Sequence, residues 1–249
     1  MTIPDSTERV VAYIDGLNVY QGMSAKGWRD LLWLDYRSLC EDLTYPWQHL
    51  ESVKYFTAHR RHPPESYARQ EIYFNALDAR GGVQRIEGKF EKNKVPCVHC
   101  GRMTESFRER RTDVNLASHL VGDAAHDRFD LALLISGDSD FIEPVRQVQL
   151  LGKKVKLARP PSRRSDELGS TCNHMTDIRK NHLARNQLPN PIERSKGNPI
   201  KCPYGWLPLQ DKIELMSDSN RQTMNEIRSS VHESLHPSLH GLADRMLGQ

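Results

Sequence analysis

Four aspartates in three short motifs set the chemical character of this 249-residue chain: Asp15 in YIDGLN, Asp113 in RRTDVNLASHL, and Asp138 and Asp140 in LLISGDSDF. Asp15 and Asp138 each follow an apolar run of the kind that fills a buried strand, and Asp113 falls in the first turn of a helical pattern. The carboxyl ends of parallel strands share one edge of the sheet, so this placing predicts that the four side chains meet there. Gathered carboxylates repel and raise one another's pKa unless they share a proton or a hard divalent cation such as Mg²⁺ or Mn²⁺. A cation held in this way lowers the pKa of a bound water, polarises a phosphoryl oxygen and stabilises a leaving oxygen, which is the chemistry of metal-assisted phosphodiester hydrolysis. Asn18, three residues after Asp15, offers a neutral amide to a water or a phosphate oxygen, and Ser136 and Ser139 offer hydroxyls. Taken singly, each aspartate is equally well explained as a turn former or helix cap. Four of them at strand ends and helix starts carry the expectation.

The elements that must position them follow from periodicity. RVVAYI (9–14) reads as a buried strand ending at Asp15, followed by a loop around Gly22 to Trp33 and a helix over 35–43. SVKYFTA (52–58) is a second strand, 65–80 a helix closed by Gly81 and Gly82, and 83–90 a third strand. Regular structure lapses from Lys92 to Arg111; a helix then begins with Thr112 as N-cap, turning Val114, Ala117, Val121 and Ala124 to the sheet. DLALLIS (130–136), a helix over 141–151 ended by Gly152, and KVKLAR (154–159) complete the alternation, with 165–185 read as a final helix. The expected fold is therefore α/β: a doubly wound, mainly parallel five-stranded sheet of Rossmann-like type. It carries a small cysteine-containing insert (91–111) and a helical C-terminal extension. The domain is expected over 1–188, with a proline-bearing linker and the extension over 189–249.

Composition excludes several classes. With 37% hydrophobic and 27% charged residues the chain reads as globular. No apolar run approaches the ~20 residues of a membrane span, and the N-terminus lacks the layout of a secretory signal, so no membrane and a cytoplasmic location are expected. The net charge is only +3, but the basic residues are bunched in HRRH (59–62), RERR (108–111), KKVKLAR (153–159) and RR (163–164). Such runs are either solvated surface or a phosphate track; Arg111, Arg146, Lys153 and Lys154 are the expected nucleic-acid contacts because they flank the aspartate motifs. Trp28, Trp33 and Trp47 are either core or base-stacking residues, with core the simpler reading. His119 lies nearly two turns beyond Asp113 and reads as a packing or surface residue rather than a base. Five cysteines without a signal argue for reduced thiols, and Cys40 reads as core.

In combination, VVAYIDGLNVY (10–20), RRTDVNLASHLVGDA (110–124) and DLALLISGDSDFIEPVRQVQLLGKKVKL (130–157) resemble the NYN domain family, PIN-like relatives that include the LabA-like proteins. The resemblance extends more loosely over 8–188. It implies a PIN-like fold and a Mg²⁺- or Mn²⁺-dependent acidic pocket that cleaves RNA. Asp15, Asp113, Asp138 and Asp140 would be the metal or catalytic carboxylates and Asn18 their support; DNA is not excluded as a substrate. LabA-like relatives also carry a zinc knuckle just before the TDVN helix, which matches Cys97 and Cys100 in CVHCGR. Two thiolates are half a tetrahedral site, and Cys172 with His174, His99, or His59 with His62 are the partners in reach; an empty pair of thiols is the plain alternative. A haloacid dehalogenase reading needs an acid where Leu17 stands, and no nucleotide-binding glycine loop follows any expected strand. The competing reading is an inactive nucleic-acid-binding or regulatory module of the same fold. The C-terminal extension is the expected surface for a homo-oligomer or protein partner.

Overall fold

In the computed structural model the chain forms two compact units, Met1–Trp206 and Leu207–Gln249. The structure describes residues 7–59, 63–96, 102–163, 165–194, 196–218 and 222. Its strands are β1 (Glu8–Asp15), β2 (Gln48–Thr57), β3 (Gln84–Glu87), β4 (Lys89–Pro96), β5 (Met103–Arg110), β6 (Leu131–Ile135), β7 (Lys154–Arg159) and β8 (His174–Asp177). Its helices are α1 (Gly16–Ala25), α2 (Tyr36–Asp42), α3 (Pro64–Arg80), α4 (Thr112–Ala125), α5 (Ile142–Leu150), α6 (Asp166–Thr171) and α7 (Lys180–Arg185). In the second unit, the described residues 209–218 are helical.

Six strands form one sheet in the order β3-β2-β1-β6-β7-β8, and every pairing is parallel. Strand order reverses between β1 and β6, where Val10 to Ile14 pair with Leu131 to Ile135. The expectation of a doubly wound parallel sheet holds, with six strands rather than five. The additional strand is β8, inside the stretch read as one helix over 165–185. Ser170 and Thr171 turn their hydroxyls back onto the Glu167 carbonyl, a competition that weakens helices. The Asn173 side chain then accepts from the Val155 backbone at 2.8 Å, and His174–Asp177 pairs along β7.

Two further differences concern segments without apolar periodicity. Residues read as a loop after Asp15 form α1, and residues read as irregular form the antiparallel hairpin β4–β5, which springs from the carboxyl edge just after β3. Charged KFEKNKVP has none of the alternation by which a half-buried strand announces itself. On α4 the sheet-facing residues are Leu116, Leu120 and Ala124, with Val114 exposed. The helix starts one residue earlier than expected, with Thr112 inside it and Arg111 in the capping position.

The central strands are buried on both faces: Val10 to Ile14 and Leu131 to Ile135 are each at most 3% exposed. A core of Val11, Tyr13, Phe56, Leu116, Leu120, Phe129, Leu134, Phe141, Val145 and Leu157 fills the space between the sheet and α4 and α5. Tyr13 enters it because its hydroxyl donates to Asp123 at 2.6 Å, which Lys54 also binds. The segment after α7, read as a linker, is strapped to the domain: Trp33 donates to the Pro189 carbonyl at 3.0 Å, Leu188 donates to the Trp33 carbonyl, and Ile192 bridges Ile200. The first unit accordingly runs to Trp206.

Candidate active site

The site begins where β1 and β6 empty side by side at the switch point, the crevice where open α/β sheets hold ligands. Asp15 ends β1 and caps α1: its Oδ1 accepts the Asn18 backbone N–H at 3.0 Å. Its Oδ2 accepts the Ser136 hydroxyl at 3.0 Å from the end of β6. Ser136 Oγ in turn accepts the Asp138 N–H at 3.1 Å, and Asp138 Oδ1 accepts the Asp140 N–H at 3.0 Å. Asn18 closes the loop by accepting the Gly137 N–H on its side-chain oxygen at 3.0 Å. Asp15, Asn18 and Ser136 are buried, Asp138 is half-buried, and Asp140 is exposed. A hydrogen-bond lattice of this kind fixes a buried carboxylate in direction.

Asp113 approaches from the first turn of α4. Its pKa is raised, first by desolvation and then by the negative charges of Asp138 and Asp140. Asp113, Asp138 and Asp140 therefore share one electrostatic environment. Among the described residues, however, no three His, Cys, Asp or Glu side chains close around a common point as a metal cage would. The donors are all oxygen: four carboxylates, the Asn18 amide and the Ser136 hydroxyl. That set suits a hard cation, and Mg²⁺ in particular keeps several waters and is held through one or two carboxylates with substrate phosphates, without needing a closed cage.

The Asn18 amide oxygen accepts the Gly137 N–H, which makes the side chain a brace between α1 and the turn after β6. Arg111 stands beside Asp113 in the left-handed region at φ 76°, unusual for a residue with a side chain. Arg146 is exposed one turn into α5 and pairs at 3.7 Å with Glu143. Lys153 and Lys154 do not reach the acidic edge. They open β7, six residues and ~20 Å of strand from its carboxyl end. There Lys153 binds Asp127, and Lys154 lies 3.0 Å from Glu8. The direction of β7 in the sequence already implied this placement.

A loop that spacing did not reveal completes the edge. After β7, Pro160 to Arg163 folds over the site, with Ser162 at φ 56°. A Cβ on Gly22 would come within 2.2 Å of the Pro161 carbonyl oxygen, and one on Gly137 within 2.7 Å of the Arg163 backbone. The legible signal was the pair of glycines next to the two motifs; only glycine lets the backbones approach so closely. Arg163 itself extends to Gln21. Arg159, also at this edge, is spent on Asp177 at 2.7 Å and Asp166 at 3.2 Å.

His119 packs edge-on against Phe56 at 5.6 Å, Trp33 is buried, and Trp47 stacks on Tyr45 near the amino ends of the strands. Cys40 is core, with its thiol pushed well up by burial. Cys97, Cys100, His99 and His62 lie outside the described residues. Of their suggested partners, Cys172 and His174 sit at the amino end of β8, the sheet edge opposite the hairpin's origin, and His59 is held between Glu71 at 2.8 Å and Glu87 at 3.2 Å.

A parallel sheet wound in both directions, with aspartates at its switch point, is the architecture of the PIN-like nuclease superfamily. This chain belongs to one branch of it, the NYN domain family, whose sequence model matches residues 9–179. Among solved structures, the chain is similar to a protein of unknown function from Vibrio parahaemolyticus. The two are 20% identical over 72% of this chain and 98% of that one, with a TM-score of 0.50, a likeness of fold alone. No curated protein matches the chain. Among the described residues no helix is long and apolar enough to cross a membrane.

Proposed function

We propose that this protein is a metal-dependent endoribonuclease that hydrolyses phosphodiester bonds at the edge formed by Asp15, Asp113, Asp138 and Asp140. The observation that carries this reading is the bridge through Ser136, whose hydroxyl donates to the Asp15 carboxylate and accepts the Asp138 backbone N–H, tying segments more than a hundred residues apart together at the switch point. Asp15 and Asp138 would hold Mg²⁺ or Mn²⁺, with Asp113 and Asp140 completing the negative field. When bound, such an ion supplies a more acidic water and charge stabilisation at phosphorus. The chain's own part is to fix the Asp15 carboxylate through the Asn18 N–H and the Ser136 hydroxyl. It also aims Asp138 through the Ser136 contact and presents Arg111 and Arg163 as cations beside the path of the phosphates. Asp113, the carboxylate with the raised pKa, is the one best able to accept a proton there.

A second reading is favoured by one observation, the absence of a closed three-ligand cluster among the described residues: a binding module that contacts RNA without cutting it. The decisive comparison is Asp138→Asn, which keeps an acceptor for the Asp140 N–H. We expect Mn²⁺-stimulated cleavage of labelled single-stranded RNA by the native chain and at least ~10²-fold less by the variant at unchanged circular dichroism, as loss of a principal electrostatic group costs. Equal cleavage by the two proteins would remove the assignment. Cytoplasmic action, and a structural zinc at Cys97 and Cys100, are retained as part of the same proposal.

A further inference from the structure

On the other face of the sheet, immediately beside Asp15, lies a pocket walled by Tyr20, Tyr36, Tyr55, Tyr73, Phe74 and Trp206. Gly16 and Leu17, the first two residues of α1, form its lip, so the pocket and the Asp15 carboxylate share one helix start. Its walls are fixed. The Tyr73 hydroxyl donates to the Leu34 carbonyl at 2.7 Å, the Gln70 amide donates to the Ala58 carbonyl at 3.0 Å, and Trp206 meets Tyr73 edge-on at 5.7 Å. Arg69 also lines the pocket; it donates to Ser66 at 3.1 Å and has no carboxylate partner among the described residues.

Core packing alone does not call for this. An apolar core would close over the aromatics, whereas here a cavity of about 90 Å³ stays open between them. That is several times the ~10–15 Å³ a cavity needs to hold one water, room for a planar ring between the aromatic walls. Aromatic walls accept any base face, and a guanidinium without a carboxylate complements either a base carbonyl or the adjoining phosphate. Trp206 lies beyond residue 179, where the family match ends, so this wall belongs to the chain's own C-terminal strap.

We infer that this pocket receives one unstacked pyrimidine base of the RNA strand whose backbone crosses the acidic edge, and so sets which bond is cut. The inference rests on the ribonuclease reading for the position of the strand. The base enters between the tyrosines and Trp206, Arg69 contacts its carbonyl or its phosphate, and the neighbouring phosphodiester lies against Asp15. A purine, one ring larger, fits less closely and is discriminated against.

The test uses the full chain carrying Asp138→Asn, so that binding is read without cleavage. Uridine and adenosine oligonucleotides of equal length are titrated while tryptophan fluorescence is followed, and native protein is used separately to map cleavage ends on RNA of random sequence. We expect quenching by the uridine strand at about tenfold or more lower concentration than by the adenosine strand, and a comparable loss when one abasic nucleotide replaces the preferred base. We also expect a pyrimidine enriched at one fixed position beside the cut. Trp206→Phe should remove the quenching; Arg69→Gln, which leaves the packed walls intact, should reduce the selectivity if the tryptophan variant does not fold. Cleavage with no base bias at any position, or equal affinity for abasic RNA, overturns the pocket while leaving the nuclease standing. Tight, pyrimidine-selective binding with no cleavage by native protein overturns the nuclease and keeps the pocket. A rise in melting temperature with indole but binding of no RNA identifies a small aromatic ligand instead and overturns the inference.

Discussion

Asp113 carries the least favourable charge of the acidic edge, and its environment predicts opposite effects on stability and activity. Its folded pKa is raised by desolvation and by Asp138 and Asp140. The penalty is therefore absent at low pH, where the group is protonated in both states, and appears as pH rises through the carboxylate range. Asp113→Asn should accordingly raise the melting temperature at neutral pH and leave it unchanged near pH 3. The gain should be no more than a few tenths of a kcal/mol, because the side chain is open to solvent. The same variant should lose cleavage. A melting temperature that falls at pH 7 would show that Asp113 is instead a structural cap. Asp15 and Asp138 were legible in the sequence because a polar residue terminating an apolar run has one physical meaning in a parallel sheet. The part taken by Ser136 was not, since its hydroxyl, which accepts the nearby Asp138 N–H, reaches the Asp15 carboxylate only once β1 and β6 are neighbours.

At the scale of elements, the close approach of α1, the β6 turn and the loop after β7 makes Gly137 a structural requirement. Gly137→Ala puts a methyl against the Arg163 backbone, which is not a flexible chain end. The expected cost is about 1–3 kcal/mol in denaturant unfolding, the range for forced overpacking, together with a fall in activity as the loop lifts. At the opposite edge β1 is pinned to the turn before β6 by Arg9, which lies 2.8 Å from Asp130 and 3.0 Å from Asp127. Hydrogen bonding to Arg9 lowers the Asp130 pKa to about 2. A depressed carboxylate stabilises above its unfolded pKa and loses that contribution as pH falls. Asp130→Asn should thus melt below the native chain at pH 6 and at the same temperature near pH 2. Short apolar runs made β1, β2, β6 and β7 readable. β8 was hidden because four half-exposed residues on a sheet edge need no apolar pattern, and α1 because Asn18 and two close-packed glycines occupy the face where apolar residues would have signalled a helix. Lys153 and Lys154 were misplaced because flanking a motif in sequence was read as flanking it in space, although a whole strand intervenes.

Across the molecule, the strap of residues 186 to 206 belongs to the first unit although it lies beyond the family match. A chain ended at residue 188 loses Ile192, Cys202 and Trp206. Ile192 and Cys202 are buried and Trp206 is half-buried, so at about 1.5–3 kcal/mol for each buried apolar side chain it should be less stable than a chain ended at 206 by roughly 3 kcal/mol. Equal chemical denaturation midpoints for the two would show that the strap is ornamental. Proline content had suggested a linker because prolines end helices, but they do not prevent a segment from docking through Trp33 and Asn186. The pairing of β1 with β6 has one more consequence. Val10 finds its partner Leu131 only after more than a hundred intervening residues have been made, and contacts so distant along the chain form late and slowly. A growing polypeptide on the ribosome therefore carries its first aspartate long before Asp138 and Asp140 can join it at the sheet edge.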